Sequence, residues 1–152
     1  MSSDWKNNLA NAFEEIAIIQ KSKKETLEQF RQFCEFVVEP AFELFSGEMR
    51  IYGLRSKWLM DQTSITFQIN FGRTQIENFQ YTLFLPKNSV ELVLKLKIRG
   101  RVERSDPLEE KEEPLTRKLI DTEPLKWQQS DLIQDLIEHY RIYRFKSLTS
   151  QD

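Results

Sequence analysis

A single cysteine, Cys34, is too few for an internal disulfide or a cysteine-built zinc site. It stands among Phe33, Phe36 and Val37 and is expected to pack as a small buried hydrophobe. Glycine occurs 4 times, with no Gly-rich run that could cradle a phosphate. Proline occurs 5 times, so long structureless regions are expected to be few. No charge dominates: 22 Lys and Arg stand against 24 Asp and Glu, a net charge of −2. That balance gives no global attraction to nucleic acid or an anionic membrane, and polyanion binding would need a local patch. No apolar run is long enough to span a bilayer. The start, "MSSDWKNNLANAF", lacks the basic and apolar blocks of a secretory signal. These absences lead to the expectation of a cytoplasmic protein without a membrane partner.

What the chain does hold is apolar bulk. Phe alone occurs 11 times, and 152 residues suffice to bury a core without metal or disulfide staples. One domain over residues 1–152 is expected. Trp5, Leu9, Phe13, Ile16 and Ala17 fall on one face of a helix over about 4–20, capped by Ser3 or Asp4, with "QKSKK" as a polar joint. A second helix is predicted over about 24–46. Leu27, Phe30, Cys34, Val37, Ala41 and Leu44 form its stripe, Pro40 marks a kink or restart, and Gly47 is the C-terminal stop. Its near-continuous apolar surface places it centrally, with Val37, Ala41 and Leu44 buried.

The period then changes to two. A sheet is predicted over about 49–104, from "MRIYGL" and "SKWLM", then "SITFQINF" (64–71), "FQYTLFL" (79–85) and "VELVLKLKIRGRVER" (90–104). Ile65, Phe67, Ile69, Phe79, Tyr81, Leu83, Leu94, Leu96 and Ile98 point to one side, as in an antiparallel meander with one packed face. A charged loop follows over 105–116, then a brief strand at 117–121, and a final helix over about 130–147 capped by Ser130. The fold class is α+β: a two-layer sandwich with the N-terminal helices and the C-terminal helix on one face of the meander.

The candidate site is the other face. Lys95, Lys97, Arg99 and Arg101 form a basic row, and Phe84 offers a ring beside it. Same-side residues on a strand lie roughly 6.6 Å apart, near the phosphate spacing of an extended single strand. The functional reading is an anion or single-stranded nucleic-acid site. The plainer and favoured reading is a solvated face whose lysines discourage edge pairing. His139, with Asp135 four residues earlier, is read as an ordinary surface histidine. The acids of "DPLEEKEE" lack the spacing of a calcium loop. Trp5, Trp58 and Trp127 are read as core, the alternative being that one or two of them, with Phe84, mark a contact surface.

No motif identifies a family. The leading expectation is a non-enzymatic interaction module that binds a protein partner, or a second copy of itself, through its sheet face or edge. Nucleic acid at the basic row is the alternative, and an enzyme with dispersed acids and His139 the third. No catalytic residue, metal site or cofactor is assigned.

Overall fold

The computed structural model describes residues 4–70, 78–101, 109–114 and 127–149, with side chains described for 4–70, 79–99 and 127–145. The expected strand at 117–121 lies outside the described residues. Three helical segments run end to end: α1 (Asp4–Phe33), a π-helical turn (Cys34–Val38) and α2 (Glu39–Ile51). Five strands follow, β1 (Arg55–Met60), β2 (Ser64–Asn70), β3 (Asn78–Phe84), β4 (Lys95–Arg101) and β5 (Glu109–Pro114), and then α3 (Gln129–Thr149). The strands form one antiparallel sheet in sequence order. Helices pack against its apolar face, which makes the fold α+β.

The first two helices are not separated at "QKSKK". Gln, Lys and Ser are adequate helix formers, and with no Gly or Pro there the backbone has no reason to stop. The regular helix restarts at Pro40, as expected; the helical run is not interrupted, and Pro40 lies in the first turn of α2. Its ring would strike the carbonyl four residues back in a regular α-helix. The π turn widens the spiral just before it, with the Glu39 N–H donating to the Cys34 carbonyl five residues earlier. The wider turn also shifts the helix phase. Phe30, Phe33, Cys34, Val38, Ala41, Phe42, Phe45 and Met49 are buried, whereas Leu44 is 57% exposed and Val37 only partly covered. The expected stripe through Leu27 and Leu44 is therefore corrected.

Gly47 does not end the helix; it lies inside α2, and burial of Met49 carries the helix onward. The stop is Gly53, at φ +78°. Its N–H donates to the Arg50 carbonyl at 3.0 Å, and the Leu54 N–H donates to the Met49 carbonyl at 3.0 Å. These bonds form a Schellman cap with glycine in its left-handed position. Residues 49–51, expected as strand, are thus helical, and 52–54 form the cap and the link to β1.

The strand phases agree with the alternation. Ile65, Phe67, Ile69, Phe79, Tyr81, Leu83 and Leu96 are fully buried, Leu94 is nearly so, and Ile98 is partly covered. Phe42 of α2 sits at the centre, its ring 4.8 Å from Phe67 and 6.3 Å from both Trp58 and Tyr81. A Ser56 Oγ to Ser46 Oγ bond of 2.6 Å ties β1 to α2. At the β1–β2 turn the Asp61 carboxylate accepts the Thr63 and Ser64 N–H groups at 2.9 and 2.8 Å. Those bonds, chiefly the one from Thr63, hold its pKa below the usual carboxylate range.

Two expected boundaries move. Residues 109–114, read as charged loop, pair with β4 as β5. Ser130 is not the cap of α3 but lies in its first turn. The cap is Gln128, whose N–H donates to the Asp131 carboxylate at 2.8 Å.

The two glycines of this region should respond oppositely to alanine. Nothing lies within 4 Å of a Cβ at Gly47. Gly47→Ala is expected to raise the unfolding free energy by roughly 0.5–1 kcal/mol. Gly53→Ala should lower it by about 1–2 kcal/mol, because alanine must then hold a left-handed conformation. Urea unfolding of both variants checks the pair.

Candidate interaction surfaces

The open face of the sheet is built by register. Gln80 stands opposite Arg99, Thr82 opposite Lys97 and Phe84 opposite Lys95 on β4. On the other flank Gln68 stands opposite Lys57 and Asn70 opposite Arg55 on β1. In antiparallel pairs directly opposed residues share a face, so basic residues of β1 and β4 border a neutral strip. The strip is bonded within itself. Thr66 and Thr82 hydroxyls meet at 2.9 Å, and Gln68 Nε2 donates to Asn70 Oδ1 at 2.9 Å.

Lys95, Lys97 and Arg99 thus share one face of β4; Arg101 ends the strand, and its side chain lies outside the described residues. Lys95 and Arg99 are exposed, and Lys97 is half-buried. Lys97 Nζ lies 5.4 Å from the Phe84 ring centroid, so a cation already stands at the ring on which a base would stack. On the outer side β5 sets Glu112 opposite Lys97 and Glu110 opposite Arg99.

His139 is only 8% exposed, which corrects its reading as a surface residue. It follows buried Leu132 and Leu136 at helical spacing, a signal present in the sequence. Its Nδ1 donates to the Asp135 carbonyl at 2.8 Å and lies 3.3 Å from the Asp135 carboxylate. The Tyr81 hydroxyl donates to that carboxylate at 2.5 Å. The cluster joins β3 to α3 as a buried hydrogen-bonded network, a structural tie between layers. Among the described residues no group of three or more His, Cys, Asp or Glu is placed to hold a metal ion. No helix of the described residues is long and apolar enough to cross a membrane.

The largest departure from expectation is at the N-terminus. Every residue from Asp4 to Lys21 is exposed. Trp5 is 59%, Leu9 50%, Phe13 63%, Ile16 47% and Ile19 47% exposed. Trp58 packs on the core and Trp127 is buried, but Trp5 is not core. The cause is length. A seven-residue strand spans roughly 23 Å, and the helix from Thr26 to Ile51 already runs about 39 Å. The sheet cannot cover the first 18 residues of α1, which project as an arm about 27 Å long.

The arm keeps the pattern of the buried helix. Trp5, Leu9, Ala12, Ile16, Ile19, Lys23, Thr26, Phe30 and Phe33 recur at alternating steps of four and three. Thr26, Phe30 and Phe33 of this seam are buried within the domain. The earlier members continue the same seam into solvent. The expected face of Trp5, Leu9, Phe13, Ile16 and Ala17 stops at "QKSKK" and so misses this continuous seam, and periodicity does not show where its cover ends. A second apolar feature, a groove of about 550 Å³, lies between the π turn and the start of α3, lined by Phe36, Val37, Leu44, Gln129 and Ile133.

No protein family matches this chain, and neither the curated proteins nor the solved structures provide a match. The functional reading therefore stands on geometry.

Cys34 is fully buried, and burial, helped by the Glu39 carboxylate, pushes its thiol up to about 12. The thiolate is the reactive form. Iodoacetamide at pH 8 is therefore expected to leave the folded protein unmodified and to label Cys34 once the chain is unfolded in guanidinium, as read by mass spectrometry.

Proposed function

We propose that the protein is a non-enzymatic, cytoplasmic protein-interaction module whose docking element is the N-terminal arm of α1. One observation carries this reading: five large apolar side chains lie on one helix face, each about half exposed, on a helix anchored in a packed domain. Exposed apolar surface of this extent marks an interaction site. Completing the burial of each side chain supplies roughly 1 kcal/mol, so about 5 kcal/mol in all. The cost of association is about 4–15 kcal/mol, so the partner must bring comparable apolar area of its own. The sheet face, first expected to be the contact surface, has less behind it, because its polar groups already bond one another.

The arm reading separates stability from binding. The double change Leu9→Glu, Ile16→Glu is expected to leave the unfolding free energy within about 0.5 kcal/mol. Phe30→Ala, on the same seam inside the domain, should cost about 3–5 kcal/mol. Hydrogen exchange at high dilution should show amides 5–20 unprotected while those of α2 resist exchange. Protection of 5–20 in a monomer, with a large loss of stability in the double variant, would show instead that the arm belongs to the core.

A second reading, anion binding at Lys95, Lys97, Arg99 and Arg101 with Phe84, draws support from Arg55 and Lys57 on the same face. The opposed acids of β5 weigh against it. Lys95→Gln with Arg99→Gln should change the unfolding free energy by less than about 1 kcal/mol. Titration of a single-stranded oligonucleotide at two salt concentrations decides the matter. Binding that falls with salt and with this double change would establish the site, and absence of binding at low salt would remove it.

A further inference from the structure

A docking arm needs a partner whose surface matches its seam. Resting on the reading of the arm as a docking element, we infer that it pairs with the arm of a second copy of this chain, laid antiparallel across a two-fold axis. A seam with steps of four and three is the pattern by which two helices interlock knobs into holes. A second copy also supplies an equal apolar face at the same moment, which satisfies the area requirement without any further partner.

The domain fixes the register. In an antiparallel pair the two kinds of seam position face each other, so the arms can slide only in fixed steps. One register brings Trp5 and Leu9 against Phe30 and Thr26 of the second copy, which are buried in that copy's own domain. The step that shortens the overlap leaves Ile19 uncovered. The remaining register places Leu9 against Ile19, Ala12 against Ile16, and Trp5 beside Lys23 of the second copy. A small residue then faces a large one at the centre, and an indole meets an ammonium at the end. Lys23 also bonds Asn88 at 3.1 Å, so the arm tip arrives where the domain begins. The same register brings the two copies of Phe13 together on one flank, which gives a role to a 63% exposed aromatic outside the seam. On the other flank the two Glu15 carboxylates face each other, and like charges there weaken the pair.

Light scattering over a wide concentration range tests the pairing. The molar mass is expected to rise from one chain to two, and Leu9→Glu should hold it at one without moving the thermal midpoint. Glu15→Gln should tighten the dimer by roughly two- to fivefold, the scale of a surface charge pair. A mixture of A12C and I16C chains, mildly oxidised, should form the mixed disulfide, while A12C alone should not cross-link. Cross-linking of A12C alone would show a parallel pair and overturn the inference. A monomer at every concentration, with amides 5–20 still unprotected, would overturn the second copy as partner while leaving the arm a docking element. Protection of those amides in the monomer would remove the docking reading itself.

Discussion

The contact between Phe42 and Phe67 is the point from which the rest of the architecture is set. It joins the helical layer to the sheet at 4.8 Å, and Trp58 stacks on Phe67 from the sheet's edge at 6.2 Å. With Phe30, Val38, Phe45 and Met49 buried along the same helix, the direction of α2 is fixed by packing against three strands. The helical run passes Pro40 without a gap, through the π turn into α1, whose own buried residues Thr26, Phe30 and Phe33 precede it. Buried in the domain, these three hold the base of the arm directly.

Much of this was legible in the chain, and the failures have physical causes. The strand phases follow from strict alternation: a one-residue slip would carry Ile65, Phe67 and Ile69 into solvent, so register is strongly specified. The helix phase was less secure. A periodicity of three and four assumes a regular α-helix, and the π turn re-phased it, exposing Leu44 and burying Phe42 and Phe45. Gly47 looked like a stop because glycine often is one. The cap at Gly53 is set by hydrogen bonds to Met49 and Arg50, which composition alone does not reveal. Among the site residues, the shared face of Lys95, Lys97 and Arg99 followed from alternation. The acids of "EEKEE" were visible, but reading them as a strand required the pairing with β4, and β propensity disfavours Glu and Lys there. The arm's apolar face was seen and its surroundings were not, since periodicity shows that a face wants cover and not what provides it.

The sheet's two faces illustrate how one alternation carries two kinds of information. Leu94 and Leu96 are fixed by the core. Beyond them, the register sets Lys97 opposite Glu112 and Arg99 opposite Glu110. On the strands between, Thr66–Thr82 and Gln68–Asn70 bonds hold polar side chains in place. The polar side chains of the open face thus bond one another, a structural use that does not require a ligand.

The seam of α1 is the converse case. Inside the domain its members Thr26, Phe30 and Phe33 pack on the chain's own core; beyond Lys23 the same spacing meets solvent. A seven-residue repeat drifts by about 20° per heptad around a straight helix of 3.6 residues per turn. The arm's apolar face therefore turns gradually around the helix relative to the buried members of the seam. Substitutions in the arm alter that surface while the core at Phe42 and Phe67 is untouched. Binding and folding can in this way be tuned by separate sets of residues on a single continuous helix.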